Sequence, residues 1–267
     1  MIARYYLRYG DQDLPEDGEL PDLNWAGSEE IDRLILVATP SFGAMQSFDN
    51  LLNGRQEAKI LPFYHEALLG TMPAIYQLMP RLRHNVVLDQ NGKPADVNLY
   101  NATVWKENDW GLLSAESDRY LRAMLPKVSS RAERMKIAYK YVDWCLSRAK
   151  QFHESIDLSP ANPRDSSLFL YAGDVEPTLT RVALHLKNGK LAAEFRKGDL
   201  YTPGDGTVPR YSAIADERFG GPFEVGLRSP VDWTQLTFLN GDHLGLTSNA
   251  NFTNNVLFVL LEQLKRY

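Results

Sequence analysis

Hydrophobic positions along the first fifty residues follow two different spacings. Residues 1–9, MIARYYLRY, place apolar and aromatic side chains along one helical face, and Gly10 follows where a helix would end. Residues 34–38 instead form a continuous apolar run, which is typical of a strand buried on both faces. The start of the chain therefore predicts a helix, a polar acidic loop and then a buried strand.

The middle of the chain has a different pattern. Between about residues 53 and 159, short stretches of helical periodicity are separated by prolines and aromatic residues. Helices are predicted at residues 65–69, 74–78, 115–125 and 131–153. This pattern indicates a helical insertion, which the loop SPANPRDSS closes.

Strand patterns return in the last third. Residues 167–173, SLFLYAG, predict a second buried strand, and residues 181–195 predict a hairpin with Asn188 and Gly189 as its turn. Residues 233–241 predict a further strand, and an amphipathic helix over residues 251–267 closes the chain. Strands and helices that alternate around a helical insertion indicate the α/β class.

Composition narrows the classes of function. The 267 residues are 44% hydrophobic and 24% charged, with a net charge of -5, so neither nucleic acid nor a charged membrane surface is an expected partner. We find neither a signal peptide nor an apolar run of roughly 18 residues that could span a membrane, and the compartment stays open. Cys145 reads as a packed thiol. Phosphate-binding glycine motifs and metal-ligand histidine pairs are also absent, so we expect no cofactor and no metal.

Two loops carry the candidate chemistry. Asp205 lies between Gly204 and Gly206 in GDGTVP, and His243 follows a predicted strand in NGDHLGLTSN. A lone Asp-Gly pair is usually an ordinary turn. An acid followed by a histidine on late loops, however, matches the order in α/β-hydrolases, where the carboxylate orients the imidazole that acts as general base. The remaining histidines read as surface or packing residues: His65, His84, His153 and His185.

A candidate nucleophile lies in the turn after the first strand. Ser41 precedes Asp205 and His243 in the order expected of a Ser-Asp-His triad, and its turn, TPSFG, is one residue short of the G-x-S-x-G motif. Thr39 puts a β-branched side chain where a nucleophile elbow needs a small residue, and Pro40 has a fixed φ and no N–H. These features favour a bystander role for Ser41, and an esterase that uses Ser41 is the alternative.

Several stretches together resemble one known family. GDGTVP and DHLGLTSN resemble the acid and histidine loops of the lecithin:cholesterol acyltransferase-like branch of the α/β-hydrolases. RLILVATPSFGAMQSFDNLLNG is similar to the strand and loop that follow the nucleophile helix in that family, and MPAIYQLMP and VWKENDWGL look like its cap segments. MIARYYLRYG is similar to the nucleophile helix itself. The resemblance covers the chain from its first residue to its last helix.

This resemblance implies the C-terminal part of an α/β-hydrolase sheet with a helical cap insertion. Core residues 1–54 would follow the nucleophile elbow, residues 55–162 would form the cap, and residues 163–267 would carry Asp205 and His243. The implied activity is that of a serine hydrolase or O-acyltransferase, which acts on lipid or other esters through an acyl-enzyme.

The same resemblance places the nucleophilic serine just ahead of Met1. We therefore expect the chain alone to be inactive, or to receive an N-terminal half from another chain. A non-catalytic acyl-binding remnant is the alternative. Cap aromatic residues would line an acyl pocket or simply pack in the cap: Tyr64, Tyr76, Trp105, Trp110 and Trp144.

Overall fold

The computed structural model describes residues 1–56, 60–158 and 166–262. Its α-helices are α1 (Ile2–Tyr9), α2 (Met45–Asn53), α3 (Glu66–Leu69), α4 (Pro73–Gln77), α5 (Ala102–Glu107), α6 (Asp118–Met124), α7 (Arg131–Asp157), α8 (Arg210–Ala213) and α9 (Ala250–Leu261). Its strands are β1 (Arg33–Val37), β2 (Val87–Leu88), β3 (Ser167–Gly173), β4 (Glu176–Leu179), β5 (Val182–Lys187), β6 (Lys190–Glu194), β7 (Tyr201–Gly204) and β8 (Gln235–Leu239). Helices and mostly parallel strands mix along the chain, which defines an α/β protein.

A parallel sheet in the order β1-β3-β8 organises the candidate site. Strand β3 lies at its centre and is buried from Leu168 to Gly173, as the apolar run predicts. Strand β1 is also present, but only Leu36 is fully buried in it, so the prediction of burial on both faces is wrong. The reason is position: in the described sheet, β1 has a neighbour on one side only.

Two smaller sheets lie beside it. In one, β5 pairs with β2 in parallel and with β6 in an antiparallel hairpin, and in the other β4 pairs with β7. The predicted hairpin is confirmed: Asn188 has φ of 51° and Gly189 has φ of 77°, the positive values that a tight two-residue turn requires.

The helical predictions are largely confirmed, with shifted ends. Helix α1 ends at Gly10, whose φ is 59°, and α7 continues four residues beyond the predicted end to Asp157. The insertion also contains strand β2, which was not predicted because a two-residue strand leaves no periodic signal. Most of the closing loop SPANPRDSS and the last five residues, 263–267, lie outside the described residues.

One hydrophobic cluster joins the three predicted segments. Phe48 on α2 contacts Trp105 on α5 edge to face, with ring centroids 5.7 Å apart, and Leu168 on β3 belongs to the same cluster. The insertion therefore packs directly on the segments that flank it. Among the described helices, none is long and apolar enough to cross a membrane.

Helix α9 begins at Ala250, one residue before the predicted start, and buries little of its apolar surface. It covers one face of the sheet through Phe252, whose ring packs edge-on against Tyr171 of β3 at 5.4 Å. Val259 is its one fully buried residue, while Phe258 and Leu261 are 60% and 75% exposed. Most of the apolar surface of α9 thus faces away from the described core.

Candidate functional site

A tight turn after β7 holds the carboxylate of Asp205, which is 1% exposed. Its Oδ1 accepts hydrogen bonds from the backbone N–H groups of Thr207 (2.9 Å) and Val208 (2.6 Å). Its Oδ2 is left for a side chain, and His243 occupies it. Because the donors come from the next three residues, the local sequence fixes much of the orientation of the carboxylate.

Small residues let this turn form beside the end of β3. Gly206 has φ of +86°, which an L side chain rarely adopts. A Cβ on Gly173 would lie 2.8 Å from the Asp205 Cβ, so the last residue of β3 must be small. Thr178 on β4 completes the support, because its Oγ1 accepts a 2.8 Å hydrogen bond from the Gly206 N–H.

His243 reaches the same carboxylate from the loop that follows β8. Its Nδ1 lies 2.9 Å from Asp205 Oδ2, and its backbone N–H donates to the Asp205 carbonyl at 2.8 Å. Two bonds therefore join the loops. A carboxylate on Nδ1 favours the tautomer with the proton there, which leaves the Nε2 lone pair for a reacting group. The His243 side chain is about one-third exposed, so solvent or a substrate can reach the imidazole.

The sequence thus predicted two distant residues that the structure places in one hydrogen-bonded pair. The His243 loop leaves the carboxyl end of parallel strand β8, and the Asp205 turn, which follows β7, lies against Gly173 at the carboxyl end of the neighbouring strand β3. The carboxyl edge of a parallel sheet is where α/β proteins usually bind ligands.

A cleft of about 1030 Å³ opens beside His243. Leu244 and Val208 line it next to the imidazole, and Met1 at the start of α1 lines the same space. The opposite wall is mostly apolar and comes from the insertion: Tyr64, Leu69, Met72, Ile75 and Leu78. The arrangement suits a substrate with an apolar body whose polar reacting group lies against the imidazole.

Ser41 does not face this cleft. Its side chain is fully buried, and its Oγ has no hydrogen-bond partner among the described residues, whereas Thr39 and Pro40 do line the cleft. The turn directs Ser41 into the interior, where its carbonyl accepts a bond from Arg81. This placement gives no support to Ser41 as the nucleophile.

Most of the predicted acyl-pocket aromatic residues pack elsewhere. Tyr76, Trp105 and Trp110 are buried in the main hydrophobic cluster, and Trp144 on α7 is 51% exposed. Tyr64 is the member of this set that lines the cleft. The apolar wall is instead aliphatic, which the sequence could not reveal because α3 and α4 are too short to show which face they present.

Three of the remaining candidate side chains are buried in the protein: His84, His153 and Cys145. Burial lowers the pKa of His84 to about 4 and holds that of His153 well below its usual range, in both cases with help from nearby arginines. Burial also raises the pKa of the Cys145 thiol to about 11, so the prediction of a packed thiol is confirmed. Within the described ranges, no three His, Cys, Asp or Glu side chains form a group that could hold a metal ion.

Sequence reasoning missed an ionic cluster at the end of α7, in which Arg81 is buried, Asp157 is largely buried and Arg83 is 43% exposed. Asp157 accepts hydrogen bonds from Arg81 Nε (2.8 Å) and Nη2 (3.2 Å), and Arg83 Nη2 lies 2.9 Å from its Oδ2. These side chains line a separate cavity of about 940 Å³. The sequence gave no spacing signal for this cluster, because Arg81 and Asp157 are 76 residues apart.

Comparison with known proteins adds no family to this geometry. A scan against protein-family models and a search of curated proteins both give no match for this chain. The class that fold and site define is an α/β protein with a paired aspartate and histidine beside an apolar cleft.

Proposed function

We propose that Asp205 and His243 are the acid and base of a serine-type ester hydrolase or O-acyltransferase, of the kind found in lecithin:cholesterol acyltransferase-like α/β-hydrolases. The observation that carries the proposal is the 2.9 Å bond between His243 Nδ1 and Asp205 Oδ2 at the end of an apolar cleft. The motif resemblance supports it independently of the geometry.

The geometry suits proton transfer at Nε2. His243 would accept the proton of a hydroxyl nucleophile at Nε2 while Asp205 holds the Nδ1 proton and stabilises the imidazolium. The nucleophile would attack the ester carbonyl, form an acyl-enzyme and expel the alcohol, to which His243 returns the proton. Water or a second alcohol would then release the acyl group by the same steps.

The resemblance supplies the nucleophile of this proposal, and it assigns that role to none of the 267 residues. Its expected place is ahead of α1, and Met1 lines the cleft that His243 lines. A hydroxyl delivered there would also lie at the positive end of the α1 helix dipole, which stabilises negative charge in the transition state. The aliphatic cleft wall fits an acyl chain of a lipid or similar ester.

Turnover of a short-chain p-nitrophenyl ester tests this assignment. The 267-residue chain should give no turnover above background, whereas a chain extended through in-frame coding sequence ahead of Met1 that contains a GHSMGG-like motif should be active. In the extended chain, Asp205→Asn should lower kcat by roughly 10³-fold or more, because the imidazole loses its orientation and charge support.

The matched control is Asp242→Asn, which changes an exposed neighbour of His243 and should retain most of the activity. Activity of the 267-residue chain that disappears in Ser41→Ala would overturn the assignment and make Ser41 the nucleophile.

A second candidate is a non-catalytic acyl-binding protein, or half of an enzyme whose other half is a separate chain. The observation that favours it is surface without a partner among the described residues: β1 has one described neighbour strand, and Phe258 and Leu261 of α9 are exposed. A stop codon ahead of Met1, with no such motif upstream of it, would favour this candidate.

A further inference from the structure

A second cavity, separate from the cleft, lies at the opposite edge of the parallel sheet. It has a volume of about 610 Å³ and opens beside the first residues of β3 and β8, at Leu168 and Gln235. The Asp205–His243 pair lies beyond the other ends of these strands. The two spaces have no described lining residue in common.

Two arginines from one face of α1 line this cavity. Arg4 and Arg8 are 2% and 4% exposed, so both guanidinium groups are buried. Arg4 Nη2 donates to the Ile156 carbonyl at 2.7 Å, and Arg8 Nη2 donates to the Pro230 carbonyl at 3.2 Å. Each Nη1 is buried with no acceptor among the described residues.

Neither arginine has a carboxylate partner within the described part of the chain. Asp157 is the carboxylate whose charge acts on both arginines, but its oxygens already bind Arg81 and Arg83. Burial lowers the pKa of Arg4 to about 9; Asp157 opposes this, and the neighbouring Arg8 and Arg81 charges add to it. A buried charge without a partner is strongly unfavourable, and an anion in the adjoining space would relieve that cost.

The walls of the cavity limit which anion fits. Arg8 stacks over the ring of Trp25 at 5.2 Å, and Trp233 lines the same space. Much of the remaining surface is aliphatic: Leu7, Leu168, Leu227, Val231 and Leu236. Each arginine has an Nη1 group without an acceptor among the described residues, so the two together offer charged hydrogen-bond donors to an anion such as a carboxylate. Ser229, Thr234 and Gln235 also line the space, but the described lining includes no cation besides the two arginines to balance the additional charge of a phosphate.

We propose that this cavity binds a small organic carboxylate whose oxygens accept hydrogen bonds from Arg4 and Arg8 and whose apolar body lies against Trp25 and Trp233. The site is independent of the Asp205–His243 pair and of the function proposed for it. Asp232 is the one acidic residue among the described lining residues; it is exposed and forms no ion pair with either arginine. Its charge should weaken anion binding.

Titration of the chain with sodium benzoate, followed by the indole N–H signals in NMR spectra, tests the proposal. Benzoate should shift the signals of Trp25 and Trp233 and leave that of Trp144, which lies on α7, unchanged. Benzamide has the same shape without the charge and should not bind, and inorganic phosphate should bind more weakly than benzoate.

Substitutions identify the groups responsible. Arg8→Met should weaken benzoate binding by roughly tenfold or more, because a charged hydrogen bond is lost. Arg122→Met, at an exposed arginine on α6, should change nothing. Asp232→Asn should tighten binding about two- to threefold, as expected for removal of an exposed like charge.

Several outcomes would overturn the proposal. They are no shift with benzoate, equal shifts with benzamide, binding that Arg8→Met leaves intact, or binding of phosphate alone. If Arg8→Met fails to fold, the comparison of benzoate with benzamide on the unsubstituted chain and the Asp232→Asn titration still decide.

Discussion

The Asp205 and Asp157 side chains are only 2% and 9% exposed, yet their partners differ in kind. Asp205 is held by the N–H groups of Thr207 and Val208, which follow directly in the chain, and gives its second oxygen to His243. Asp157 binds the guanidinium groups of Arg81 and Arg83 from a distant segment. The first carboxylate keeps its charge directed at one imidazole that borders a cleft. The second is neutralised by arginines and acts in folding.

The largest expected effect comes from removal of the structural carboxylate. Asp157→Ala would leave Arg81 buried without its ionic partner, while the nearby charges of Arg4 and Arg83 would then repel it. The free energy of unfolding should fall by about 3–5 kcal/mol, as expected when one member of a buried ion pair is removed. Urea denaturation of the variant at neutral pH measures this loss.

Glu154→Gln is the matched control on the same helix. Its carboxylate is 53% exposed and pairs only with the exposed Lys150, so its removal should change the free energy of unfolding by less than about 0.5 kcal/mol. Equal effects of the two substitutions would show that the Asp157 cluster carries no special stability.

Each region also contains a histidine, and this makes a pH test available. His243 is about one-third exposed, whereas His84 is buried, binds the Phe219 carbonyl through Nδ1 and stacks on Phe42 at 4.8 Å. Burial and then the Arg83 charge lower the pKa of His84 from 6.5 to about 4, against weaker opposition from Glu217. Between these two pKa values, the unfolded chain binds a proton on His84 that the folded chain excludes.

The free energy of unfolding should therefore rise with pH between about 4 and 6.5, by about 3 kcal/mol from His84 alone. His84→Phe should reduce that slope, and the buried His153, whose pKa is also lowered, should keep part of it. Urea denaturation at several pH values in this range gives both slopes. Identical slopes in the two proteins would contradict a neutral, buried His84.

A smaller effect should follow from loosening the Asp205 turn. Thr178→Val removes the Oγ1 that accepts from the Gly206 N–H and donates to the Glu176 carbonyl at 2.9 Å. The free energy of unfolding should fall by about 1–2 kcal/mol, because these two hydrogen bonds are lost. The substitution should also shift the NMR signal of the His243 Nδ1 proton, since one support of the turn that orients the carboxylate is lost.

Thr178→Ser keeps the hydroxyl and should leave that proton signal unchanged, although a buried methyl group is lost. If both variants leave the signal in place, the backbone donors alone orient Asp205 and Thr178 has no positioning role.

What the sequence could predict follows the same division between local and distant partners. Asp205, its flanking glycines and the Asn188-Gly189 turn are readable because a few neighbouring residues determine their conformation. Strand β3 is readable because it is buried along its whole length. The ionic cluster around Asp157 could not be predicted, since Arg81 and Arg83 look like ordinary charged residues until the fold brings them to Asp157. The partial exposure of β1 likewise depends on which strands lie beside it.

The hairpin turn provides the smallest test of this division, because its backbone conformation can be changed without altering any contact. A Cβ added to Gly189 would meet no atom within 4 Å, so Gly189→Ala changes only the cost of its φ of +77°. Thermal unfolding should report a loss of about 1 kcal/mol. Gly198→Ala is the matched control, because that residue also has open space around it but lacks a positive φ. It should be neutral or slightly stabilising, since alanine restricts the unfolded chain. Equal effects at the two positions would mean that conformational strain is not what makes Gly189 necessary, and that the turn owes its stability to the flanking strands instead.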